Sequence, residues 1–293
     1  MTAAAAVRWS TAQRYLRSEV KRVVALLRSV SNPDAQAVGD WTVAQVAMHL
    51  SQAWLAVPGL ARQDLSEVRA IVPGDVVPGA GERAGPSLIG DMWELAAVTK
   101  AGVDADPERD PAAIADRIAQ RAAAYFAAVG GAATDPRPWL VEGVEVGLAT
   151  LTGHLLNETV VHGWDIATGD GRRWDIPRDH AAAVFEGFLV PVMQALDRRA
   201  LVNQELAVGL RATYEIRLKG AGRHQLVFDN GALTADPPSF GPPDCIITAD
   251  PAALLLVIWG RVHQAKAIVE RKLVASGPKA WLGPRLRSLM RNP

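Results

Sequence analysis

Two hydrophobic periods divide this chain, and one layer of secondary structure cannot satisfy both. From about Val7 to Leu196, apolar residues recur at the three-to-four spacing of helices. Asn32-Pro33, Asp110-Pro111, Gly130-Gly131, Thr168-Gly169 and Pro177 punctuate the run. From Thr213 the pattern turns to alternation. TYEIRLK over 213–219 predicts a strand, and Asp229-Asn230-Gly231 between two apolar runs predicts a hairpin. Cys245–Ala249 predicts another short strand, and Pro251 opens an apolar helix. More helix is expected around Gln264–Arg271 and Trp281–Met290. A small antiparallel sheet covered by helices fits this last third. The expected fold is therefore α+β in two domains, a helix bundle over 1–200 and a smaller α+β domain over 205–293. The break between them is expected from Asp197 to Leu210. A Gly/Pro-rich stretch at 71–90, IVPGDVVPGAGERAGPSLIG, reads as a long loop, with a helix around Met92–Ala101 after it.

Charge excludes some partners. Lys plus Arg and Asp plus Glu both number 31, so nothing points to nucleic acid or another polyanion. The single cysteine, Cys245, rules out an intrachain disulfide or a cysteine-based zinc cluster and reads as a small core residue of a strand. No uninterrupted apolar run is long enough to span a membrane, and the first twenty residues read directly into a helix rather than a signal peptide. A cytoplasmic protein is expected.

The chemistry gathers in LTGHLLNETVVHGWDIATG. On a helix its apolar stripe runs through Leu148, Leu151, Leu155, Thr159, His162 and Ile166, with His162 near the middle and Glu158 at the edge. A carboxylate and an imidazole turned inward must be paired, protonated or bound to a metal. Four residues apart, they sit on adjacent turns of one face, the spacing of a two-ligand arm. His49 is the best third ligand. It lies in WTVAQVAMHL, where Thr42 and Gln45 have the spacing of a capping box and His49 falls on the flank of the stripe Val43, Val46, Leu50, Trp54, Val57. His154 is the second choice, because three ligands on successive turns of one helix converge poorly on one ion. Asp165, three residues after His162, has the spacing of an acceptor for a ligand imidazole or of a plain salt-bridge partner.

WTVAQVAMHL and NETVVHGWDIATG together resemble the DinB-like four-helix bundles, and within them the mycothiol-dependent maleylpyruvate isomerase family. DCIITADPAALLLVIWGRV resembles the sterol-carrier-protein-like domain that follows such bundles. The resemblance implies a metal held by His49, Glu158 and His162, with zinc or another divalent ion as cofactor and mycothiol as thiol cosubstrate. A small-molecule electrophile would be the other partner. Thiolate addition to an activated double bond, rotation and elimination would give cis–trans isomerisation; addition alone would give S-transfer. These residues do not separate the two outcomes. The C-terminal domain is expected to shape the substrate pocket, with Arg261 meeting an anionic substrate group, although an arginine at a helix end also serves simply to cap carbonyls. A non-catalytic binder of apolar ligands, or a biosynthetic protein with a repurposed metal site, is the alternative.

Overall fold

The computed structural model of the chain describes residues 3–71, 89–90, 94–129, 134–238 and 241–291, and it separates into two compact units that divide between Ile176 and Pro177. The expected 71–90 loop therefore lies almost wholly outside the described residues, as does the Gly130-Gly131 stop.

The first unit is a helix bundle. Its long members are α1 (Ala3–Leu27), α2 (Val43–Arg62), α5 (Pro111–Ala128) and α6 (Leu148–Gly169). Two shorter helices, α3 (Ser66–Ile71) and α4 (Leu95–Ala105), lie between α2 and α5 in the chain. Helix α6 packs on α1 and α2, and α5 packs on the same two, so four helices surround one core. Two small hairpins brace the ends. Strands β1 (Gln36–Val38) and β2 (Trp41–Thr42) lead into α2, and β3 (Pro136–Pro138) and β4 (Glu145–Gly147) lead into α6.

Local chemistry explains the helix starts. Thr42 Oγ1 accepts from the Gln45 N–H at 3.3 Å, and the Gln45 side chain accepts from the Thr42 N–H at 2.9 Å, the reciprocal pair expected from the spacing. Asp110 caps α5 through the Ala112 N–H, with Pro111 at the first helical position. The core is built from side chains such as Leu16, Val23, Leu50, Trp54, Ile114, Leu151 and Leu155, all fully buried, each contributing roughly 1.5–3 kcal/mol. Thr152 joins three helices: its hydroxyl accepts the Trp9 indole N–H at 2.9 Å and shares a hydrogen bond with the Tyr125 hydroxyl at 2.8 Å. Gly163 lets α6 approach α1, since a Cβ there would meet Val23 at 2.8 Å.

The second unit opens with α7 (Arg178–Val184), a π-helical turn over Phe185–Leu189 and α8 (Val190–Ala195). After the short α9 (Gln204–Ala207) come β5 (Arg211–Leu218), β6 (Arg223–Asp229), β7 (Ala232–Ala235), β8 (Cys245–Ala249), α10 (Pro251–Ile258), α11 (Gln264–Val269) and β9 (Leu273–Ser276). A 3-10 turn over Ala280–Arg285 and α12 (Leu286–Leu289) follow. The β6–β7 turn is the expected Asn230-Gly231, both residues at positive φ, 49° and 81°. The sheet order is β7-β6-β5-β8-β9.

One feature differs from the sequence reading. The sheet is mixed, because β8 returns to the free edge of β5 and pairs with it in parallel. By compactness the chain parts at Ile176/Pro177. The helical period runs on through 178–195, but those helices pack within the second unit, α7 on α10 and α8 on β7.

Candidate metal centre

Two helices of the first unit supply the candidate ligands: α2 carries His49, and α6 carries His154, Glu158, His162 and Asp165. Glu158 is the hub. Its Oε2 lies 3.2 Å from His49 Nε2 and 3.3 Å from His162 Nε2. Its Oε1 lies 3.5 Å from His154 Nε2 and accepts from the Asn157 amide at 3.2 Å. The His49 and His162 rings meet edge to face with centroids 4.6 Å apart. One donor atom from each of His49, Glu158 and His162 lies within 4.8 Å of the other two. The expected ligand set is thus brought together across two helices.

Asp165 is fully buried, and its Oδ2 sits 2.9 Å from His162 Nδ1. When the ring is neutral and its Nδ1–H donates to that carboxylate, its Nε2 lone pair faces Glu158. A lone pair facing a carboxylate oxygen needs a cation or a proton between them. Two nitrogens and one oxygen around such a point are the donor set of a divalent zinc-like ion, so these residues fit one. His49 is supported differently. Its Nδ1 is buried and has no hydrogen-bond partner, and the Trp41 ring lies beside it at 5.6 Å between centroids.

Electrostatics describe the same group without metal. Burial pushes the Glu158 carboxyl up, but hydrogen bonds from His154, His162 and His49 outweigh it and hold the group well below the usual carboxylate range. Burial likewise pushes His162 down, yet the bonds to Asp165 and Glu158 win and carry it to about 9. His49 goes the other way, lowered chiefly by burial and further by His162, against the pull of Glu158. At neutral pH the centre is therefore an ionised Glu158, a protonated His162 on Asp165, and a neutral His49.

A pH dependence follows. A ligand imidazole must be neutral, so metal entry displaces the His162 proton. Because this pKa is raised, the proton competes at every pH below about 9 and stops competing above it. Apparent metal affinity is expected to climb about tenfold per pH unit between roughly pH 6 and 9, then level off. Chelator competition across that range checks it; a flat profile would show that His162 is already neutral.

The remaining residues are placed as follows. His154, outside the apolar stripe read from the sequence, is only 7% exposed, and its Nδ1 accepts from the Trp139 indole at 3.5 Å. Trp139 and Asn157 carry no spacing signal that marks them in the sequence; only the hairpin before α6 brings Trp139 to the site. Arg261 belongs to the second unit, just past α10, where its Nη1 donates to the Trp259 carbonyl at 2.7 Å. Cys245 is buried in β8, and burial pushes its thiol up, as a core residue requires.

Residues 16–167 match the family model described as the mycothiol maleylpyruvate isomerase N-terminal domain, and residues 193–289 match that of the SCP-2 sterol transfer family. Among solved structures, the chain is similar to a mycothiol-dependent maleylpyruvate isomerase, with 13% identity, a TM-score of 0.48 and 92% of each chain covered. It is also similar to the inverting sec-alkylsulfatase Pisa1 from Pseudomonas sp., with 13% identity and a TM-score of 0.29. That match covers 50% of this chain and spans only 25% of the sulfatase. No curated protein sequence matches. Among the described residues, no helix is long and apolar enough to cross a membrane.

Proposed function

Because the chain belongs to the mycothiol maleylpyruvate isomerase N-terminal domain family, its matching segment taking in more than half of the residues, we propose that it is a metal-dependent enzyme that uses a small thiol, mycothiol, to isomerise an electrophilic small molecule. The observation that carries the reading is the convergence of His49, Glu158 and His162 on one point. His49 and His162 would hold a zinc-like ion through Nε2, and Glu158 through Oε2. An ion held there would lower the pKa of a bound thiol, about 8.5 for a cysteine-like group, so that it ionises at neutral pH.

The chain's own residues prepare that position. Asp165 keeps the His162 proton on Nδ1, so Nε2 stays available. Glu158 would bring a negative charge that balances part of the ion's charge. The buried walls of α2 and α6 limit water around the site, which strengthens each electrostatic contact. The protein contributes one cysteine, distant in sequence and buried in β8, so the reacting thiol comes from outside the chain. For the second unit, the match to the SCP-2 sterol transfer family favours binding of an apolar ligand.

The test separates thiol activation from metal binding. Protein preloaded with zinc is titrated with mycothiol while proton release is followed. Close to one proton per thiol is expected at neutral pH, and none from metal-free protein. The Glu158→Gln variant is expected to lose most of the release. If mycothiol neither binds the loaded protein nor alters the rate with cis-configured electrophiles, the enzyme reading gives way to a binding protein.

A further inference from the structure

We propose that Trp139 and His154 form a hydrogen-bonded relay that holds Glu158 as a one-oxygen ligand and that His154 itself never ligates the ion. The proposal rests on the reading of His49, Glu158 and His162 as a metal centre. It starts from the unequal surroundings of the two Glu158 oxygens. Oε2 faces His49 and His162 at 3.2 and 3.3 Å, while Oε1 faces the Asn157 amide at 3.2 Å and His154 Nε2 at 3.5 Å.

The indole of Trp139 decides what His154 offers. An indole N–H can only donate. It lies 3.5 Å from His154 Nδ1, so Nδ1 is the acceptor and the proton of the neutral ring is on Nε2, the atom that faces Glu158 Oε1. His154 therefore presents an N–H, not a lone pair. To ligate an ion through Nε2, the ring would have to move its proton to Nδ1, setting two N–H groups head to head inside the core. Trp139 is 2% exposed and His154 7%, so water is poorly placed to relieve that clash. With Oε1 engaged by two donors, Oε2 is the oxygen turned between the two ligand imidazoles. His154 and Trp139 are positioning residues: they act through Glu158.

Three measurements on the full chain test this. In metal-free protein with nitrogen-15-labelled histidine, long-range proton–nitrogen spectra are expected to show His154 as the Nε2–H tautomer, and Trp139→Phe is expected to mix the tautomers. Zinc affinity by chelator competition is expected to fall about 10- to 100-fold in His154→Leu. His154→Gln, which keeps a donor near Oε1, should recover most of it, with Trp139→Phe in between. The donor-retaining rescue separates positioning from a structural loss, and circular dichroism checks that each variant folds. Wild-type affinity in His154→Leu overturns the relay while leaving the metal centre intact. Complete loss of zinc in both His154→Leu and His154→Gln, with His49→Ala still loaded, overturns the relay and the ligand assignment together. If wild-type protein binds no divalent ion, the metal reading fails. The tautomer spectrum then decides the relay alone, and an Nδ1–H tautomer overturns it.

Discussion

His162→Ala is expected to abolish divalent-metal binding, lowering affinity by well over about a hundredfold, whereas His154→Ala is expected to weaken the site and leave it loadable. The difference comes from what each ring presents. His162 turns Nε2 toward Glu158 Oε2 at 3.3 Å and keeps its Nδ1 on Asp165 at 2.9 Å. Its loss removes one of the three proposed donors and the hydrogen bond that His162 makes to the fully buried Asp165. Replacing His154 removes a donor to Oε1 and the acceptor of the Trp139 indole, but no proposed ligand, and Asn157 still engages Oε1. Metal content after exhaustive dialysis, compared with chelator competition, reads both variants. A His162→Ala protein that keeps one ion per chain, beside an empty His154→Ala protein, would reverse the assignment.

Trp54→Ala is expected to cost about 3–5 kcal/mol of stability, the range for removing a large aromatic side chain from a packed core. Trp54 is fully buried on α2, one and a half turns beyond His49. Its indole N–H donates to Thr159 Oγ1 at 3.2 Å, and its ring meets Tyr125 and Phe126 edge-on at 6.0 and 6.2 Å. One side chain thus joins α2, α5 and α6 beside Glu158. The urea midpoint of metal-free protein measures the loss. Trp54→Phe keeps much of the volume and should cost less, about 1–3 kcal/mol. A change of under about 1 kcal/mol in Trp54→Ala would mean that the helices do not meet through this residue.

Much of this was legible in the sequence, for identifiable reasons. A capping box is a local reciprocal bond, so Thr42 and Gln45 announce the start of α2 from their spacing. The four-residue interval of Glu158 and His162 is likewise a property of one helix. His49 needed more, a stripe flank and a family resemblance, because its partner lies on another element. The depth of His154 is hidden in the sequence for a related reason. A one-helix stripe assumes one buried face, but α6 is covered by α1, by α2 and by the hairpin before it, and residues from Thr150 to Ala167 are buried around most of its circumference.

Other features depend on which elements pair, and periodicity carries no signal for that. The parallel pairing of β5 with β8 depends on where the chain returns after the β6–β7 hairpin. Strand β9, four residues long with three of them exposed, lacks the alternation that marks a strand. The division at Ile176/Pro177 falls between two helices, where Thr168-Gly169 and Pro177 are the same stop and start signals that separate helices of one bundle.

The ligand spacing also bears on how metal and folding are coupled. Glu158 and His162 are one helical turn apart, while His49 is 109 residues from Glu158. A flickering turn of helix in the denatured chain already presents the near pair. The distant histidine arrives only when the intervening chain has closed and its closure entropy has been spent. Under the proposed metal reading, denatured chains would retain a weak, two-point grip on the ion. That grip subtracts from the protection the ion confers, so loading should raise resistance to denaturant by less than the native affinity alone implies.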